Sequence, residues 1–129
     1  MMNYYLVPRI RRGYRPVGFN GGRRLPVDIH ADSEAYVITA DVPGLKAEDI
    51  RIDILDDVVT LRGEFKSEVN GDGKYLLREL HYGEFTRSLR LPVPLDPENA
   101  EANVEDGVLT VRIPKAEEAR PKEIKVNAR

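Results

Sequence analysis

Residues 101–115 read Glu-Ala-Asn-Val-Glu-Asp-Gly-Val-Leu-Thr-Val-Arg-Ile-Pro-Lys, and they predict a β-hairpin. Asp106-Gly107 supplies a two-residue type I′ turn, because both central positions need positive φ, which glycine accepts freely and aspartate tolerates. With those two residues as the loop, Glu105 faces Val108, Val104 faces Leu109 and Ala102 faces Val111. The apolar side chains of both strands then share one face, so the register is self-consistent. Ile113 continues that face. Pro114, with no amide hydrogen for a ladder, ends the strand.

The same period of two runs through the middle of the chain. Val27, Ile29 and Ala31 alternate with Asp28, His30 and Asp32; Ser33-Glu34 turns the chain; Tyr36, Ile38, Ala40 and Val42 alternate again. Pro43-Gly44 breaks the pattern, Leu45 to Asp49 is expected to form a short helical turn, and Ile50, Ile52 and Ile54 resume it. Asp56-Asp57 is expected to close a second hairpin, with poorer turn chemistry than Asp-Gly. It sets Ile54 opposite Val59, Ile52 opposite Leu61 and Arg51 opposite Arg62, a like-charge pair with no evident reason.

After a long polar stretch from Phe65 to Lys74, Tyr75 to Glu79 reads as a brief strand and Glu84 to Leu91 as a firm one. Phe85, Leu89 and Leu91 share a face with Arg87, where a charge needs a partner or a route to solvent. Pro92, Pro94 and Pro97 stiffen the connection to the hairpin. About eight short strands with hardly any helix predict an all-β fold, a two-sheet antiparallel immunoglobulin-like sandwich, over residues 26–115. A length of 129 residues suits one such domain with an extension at each end.

Those ends differ in character. Residues 1–25 carry six arginines and no acidic residue, which leaves −8 on the remainder of a chain with net charge −2. Glycines and prolines among them remove any helical or strand period, so a flexible arm is expected. A basic arm on an acidic body invites self-association or an anionic partner, but arginines without a folded platform argue against a nucleic-acid site. At the other end, Lys115 to Glu123 is charged and patternless and reads as a solvated tail. Ile124-Lys125-Val126 then places two β-branched residues on one side of an extended segment. It is either a frayed end or a short strand that docks on an open edge.

Little in the chain supports catalysis, and no enzyme is expected. There is no cysteine, the three serines (Ser33, Ser67, Ser88) sit in no Gly-x-Ser-x-Gly setting, and no Gly-x-x-x-x-Gly-Lys motif cradles a nucleotide. Asp28, His30 and Asp32 share a strand face and could hold a metal or orient a base, as a small hydrolase or metal enzyme would require; the plainer reading is a solvated face of an amphipathic strand. His81 beside Tyr82-Gly83 looks like a turn residue. Glu68, Asn70, Asp72, Gly73 and Glu79 match the spacing of a calcium loop, but Glu stands where Asp is usual and strands rather than helices flank it. No cofactor is expected. No apolar run approaches the roughly 20 residues that span a bilayer, and no export signal opens the chain, so a cytoplasmic setting is the expectation.

Several motifs, taken in order, resemble the small heat-shock proteins of the α-crystallin family: Asp41-Val42-Pro43-Gly44, Phe85-Thr86-Arg87-Ser88-Leu89-Arg90-Leu91-Pro92, Ala102 with Gly107 to Lys115, and Ile124-Lys125-Val126. The resemblance implies an α-crystallin domain at 26–115, an arm at 1–25 and a C-terminal extension at 116–129. It implies dimers that join into larger homo-oligomers, with Tyr75, Leu76, Leu77, Arg78 and Glu79 as a strand lent to the partner and Arg87 at the dimer interface. The long loop before that strand is similar to the bacterial, plant and archaeal branch. Ile124 and Val126 match the tail anchor that fills a groove between the sheets of a neighbouring dimer. The implied activity is that of an ATP-independent holdase for unfolding proteins, with Tyr4, Tyr5, Leu6, Val7, Ile10, Tyr14 and Phe19 as the client-binding arm. The arm is short for the family, and Val126 stands where Ile is commoner. A monomeric co-chaperone of the CS-domain kind is the alternative.

Overall fold

Alternating β-branched and polar residues, punctuated by Asp-Gly and Asp-Asp, leave the chain little choice but short antiparallel strands. The structure, a computed structural model, describes residues 25–67 and 71–128. Seven strands form: β1 (Val27–Ala31), β2 (Ala35–Asp41), β3 (Ile50–Leu55), β4 (Val58–Phe65), β5 (Gly83–Arg90), β6 (Glu101–Glu105) and β7 (Val108–Pro114). They make two antiparallel sheets, of order β1-β2-β7-β6 and β3-β4-β5.

Both hairpin registers match the expectation. Glu105 pairs with Val108, Val104 with Leu109 and Ala102 with Val111, with Asp106 and Gly107 at φ 52° and 78°. Ile54 pairs with Val59, Ile52 with Leu61 and Arg51 with Arg62. At that second turn only Asp56 takes a positive φ, 55°, so Asp-Asp holds the register without full type I′ geometry.

The core lies between the two sheets, where Tyr36, Ile38, Ala40, Leu109, Val111 and Ile113 meet Val59, Leu61, Phe85 and Leu89. One cross-strand pair beside the core is closely packed. Gly63 lies directly opposite Phe85, whose ring is itself 5.0 Å from that of Phe65. A Cβ at position 63 would come within 2.5 Å of the Phe85 ring and 3.1 Å of the Asp49 carbonyl. Gly63→Ala is therefore expected to cost about 1–3 kcal/mol by overpacking, read as a lowered denaturant midpoint at constant slope.

The relative placement of the sheets follows from one bond. An Arg87 Nη of β5 donates to the carbonyl oxygen of Leu25 at 2.8 Å, and Leu25 leads directly into β1. The β5 side of one sheet thus lies against the β1 side of the other. β3 and β6 are the other end strands of the two sheets.

Five sequence expectations change. The helical turn shortens to a 3-10 turn at Ala47–Asp49. Tyr75 to Glu79 forms no strand within the single chain, and neither does Ile124 to Val126, because a strand needs a ladder partner and neither segment has one here. β1 buries only part of its alternating face: Val27 is half-buried, but Ile29 is 40% exposed and Ala31 is exposed, as befits the edge of the wider sheet. Leu25, expected in the arm, packs into the core. Residues 1–24, with Tyr4, Tyr5, Leu6, Val7, Ile10, Tyr14 and Phe19, lie outside the described residues, as do Glu68 and Asn70.

Candidate functional site

The surfaces with unspent bonding capacity are strand edges. β3 and β6 end their sheets, so each carries a row of backbone groups facing outward. Ile50, Ile52 and Ile54 of β3 and Val104 of β6 point inward and stay only half-buried while touching the core. They are core-touching apolar residues left part-exposed along these two edges. Alternation in the sequence identifies these residues as inward-facing, but nothing local says that they lie at sheet edges, since that depends on which strands end each sheet.

The same chain carries an exposed apolar pair beyond the last strand. Ile124 is 84% exposed and Val126 is 88% exposed, on an irregular stretch that follows Pro121. The root of this tail is fixed. Lys115 bridges to Leu95, the Ala116 amide donates to the Pro94 carbonyl, and Glu117–Ala119 makes a 3-10 turn. Arg120 then donates from Nε to the Lys115 carbonyl at 2.8 Å and pairs with Asp96 at 3.7 Å, while the Asn99 amide donates to the same Asp96 carboxylate at 2.7 Å. Arg120 was expected in a solvated tail; it closes a clasp instead, through a partner 24 residues away that no local pattern discloses.

A second surface is the loop before β5. Tyr75, Leu76, Leu77 and Leu80 are exposed there, an unusual concentration of apolar side chains for a loop. The Arg78 guanidinium stacks between two aromatic rings, 4.4 Å from the Tyr75 centroid and 3.9 Å from that of Tyr82. The Tyr75 hydroxyl also hydrogen-bonds Ser67 Oγ at 3.1 Å. Arg78 and Tyr75 are thus tied to neighbouring side chains, although the whole segment from Tyr75 to Leu80 is exposed. Glu79 is exposed beside them. Arg87 is half-buried at the other end of this region, with the Leu25 carbonyl among its partners.

The Asp28, His30 and Asp32 trio is placed on β1 and the turn after it, all exposed. Asp32 Oδ1 accepts the amides of Glu34 and Ala35 at 2.7 and 2.8 Å, which hold its carboxyl below the usual aspartate range. That is the work of an Asx turn, which joins β1 to β2. Among the described residues no three His, Cys, Asp or Glu side chains gather to hold a metal ion, and no helix is long and apolar enough to cross a membrane.

A two-sheet antiparallel sandwich with part-exposed apolar residues along two edges, an apolar loop and an apolar tail pair is the class these features define. A family model described as the Hsp20/alpha crystallin family matches residues 28–128, and the chain belongs to that family. It is 40% identical over 103 residues to an 18 kDa antigen of Mycobacterium leprae, covering 80% of this chain and 69% of that protein. It is 34% identical over 101 residues to small heat shock protein C4 of Rickettsia felis, covering 78% of this chain and 62% of that relative's length. Among solved structures, a small heat-shock protein from Xylella fastidiosa, described as having a distinct high order structure, superposes with a TM-score of 0.65 at 30% identity. That match covers 81% of this chain and 96% of the other.

Proposed function

We propose that this protein is an ATP-independent holdase of the cytoplasm that captures unfolding proteins and is stored by reversible assembly into homo-oligomers. The observation that carries this reading is the coexistence, in one chain, of core-touching apolar residues left part-exposed along the β3 and β6 edges, which we take as the two sides of one open seam, and an exposed apolar pair of matching strand chemistry. A tail that fills the seam of a second copy covers both. Membership of a chaperone family and the high order structure of the Xylella fastidiosa relative support the same reading.

In this scheme Tyr75, Leu76, Leu77, Arg78 and Glu79, with Arg87, form the dimer surface. An exposed segment of that kind adds itself to a free edge such as β1 of the partner by β-augmentation. Tails then join dimers. Release of the tails on warming uncovers the seam, and with the arm residues Tyr4, Tyr5, Leu6, Val7, Ile10, Tyr14 and Phe19 it presents apolar surface to clients. No step calls for nucleotide, metal or cofactor.

The test is direct. The purified protein, without nucleotide, should suppress light scattering from a heat-labile enzyme at about one subunit per client, and it should do so increasingly as its own particles loosen. Undiminished scattering at that ratio would overturn the proposal.

A further inference from the structure

Charge is distributed so as to favour contact between the tail and the body. Between Pro26 and Pro114, nineteen acidic side chains stand against nine basic ones, a balance of −10; residues 115–129 hold five basic and three acidic, a balance of +2. The outward faces of β3 and β6 themselves carry three carboxylates and one arginine. Asp53 projects from the outer face of β3, and Glu101 and Glu105 from that of β6, all exposed. The countercharges near them are Arg51 on the same rim, with Arg62 beside it in register, and Arg112 opposite Glu101. The ion pairs of the described surface, Arg90 with Asp57 at 3.6 Å and Arg120 with Asp96 at 3.7 Å, use other carboxylates.

We propose that the tail is steered into the seam of a second copy by charge, with Lys122 and Lys125 answering Asp53, Glu101 and Glu105 on that seam's rims. The proposal rests on the tail-in-seam reading above. In an extended Ile124-Lys125-Val126, the two β-branched side chains enter the groove and Lys125 faces out between the rims. Its flexible four-carbon stem lets the ammonium meet either edge. Exposed pairs of this kind shift an equilibrium by up to about fivefold each. One such factor is small, but it recurs at every tail of a particle, so assembly becomes sensitive to ionic strength.

The experiment measures the mass of the full chain by light scattering in about 0.1 M and about 1 M salt, between which the screening length falls from about 10 Å to about 3 Å. Sodium sulfate is the stringent choice, since it screens charge while strengthening apolar burial. The expected result is a lower mean mass in high salt. The same drop is expected at low salt in Lys122→Glu/Lys125→Glu, and mixing that variant with Asp53→Lys/Glu101→Lys should restore large particles. Restoration only when all four changes share one chain would make the chain's own tail the occupant and overturn the second-copy claim. Mass that ignores both salt and charge reversal, while Ile124→Gly/Val126→Gly breaks the particle, overturns the steering and leaves the plug standing. Mass indifferent to the glycine variant as well overturns both.

Discussion

With Ile124 and Val126 both changed to glycine, the protein is expected to run as a dimer in light scattering and native mass measurement, with no larger particle. Each of these side chains gains roughly 1.5–3 kcal/mol on full burial, and both start from near-complete exposure. Ordering the extended residues around them costs about 1–2 kcal/mol apiece in backbone entropy, so one tail holds weakly even in the native sequence. Assembly then depends on several such contacts acting together through effective concentration, and removing the apolar pair from every tail removes all of them at once. The sandwich itself should keep its thermal midpoint, because neither residue touches the core. Large particles persisting in the variant would refute the plug.

Leu76→Ser/Leu77→Ser is expected to act one level lower, turning dimers into monomers at micromolar concentration. In a two-fold dimer each leucine is buried twice, so the pair contributes roughly 6–12 kcal/mol of gross burial. A micromolar dissociation constant corresponds to about 8 kcal/mol, so losing that burial removes most of the margin. Equilibrium sedimentation measures this directly. An unchanged dimer would show that the loop is not the interface.

Much of this was legible in the sequence because hairpins are local. The registers at Asp106-Gly107 and Asp56-Asp57 follow from a two-residue loop and an apolar pattern that tolerates only one alignment. The core faces of β2, β5 and β7 follow from the same alternation. Sheet order is another matter, because it is decided by pairing between distant segments. That is why β1 was credited with a buried face that its edge position partly denies to Ile29, and why the partial exposure of Ile50, Ile52, Ile54 and Val104 emerged only with the two edges in place. Tyr75 to Glu79 and Ile124 to Val126 have strand composition but lack a ladder within one chain, so composition alone does not make them strands. The Arg120 clasp was illegible for a simpler reason: a charged residue in a charged run gives no hint of its partner.

That clasp also works as a ruler. With Arg120 tied to Asp96 and to the Lys115 carbonyl, only four chain steps separate the last fixed point from Ile124. At about 3.3–3.6 Å per residue the leash is roughly 14 Å long. On the proposed tail docking, only neighbours whose anchor points fall within that radius are tethered, and the dimensions and curvature of any closed shell so built are bounded by the length of Pro121-Lys122-Glu123.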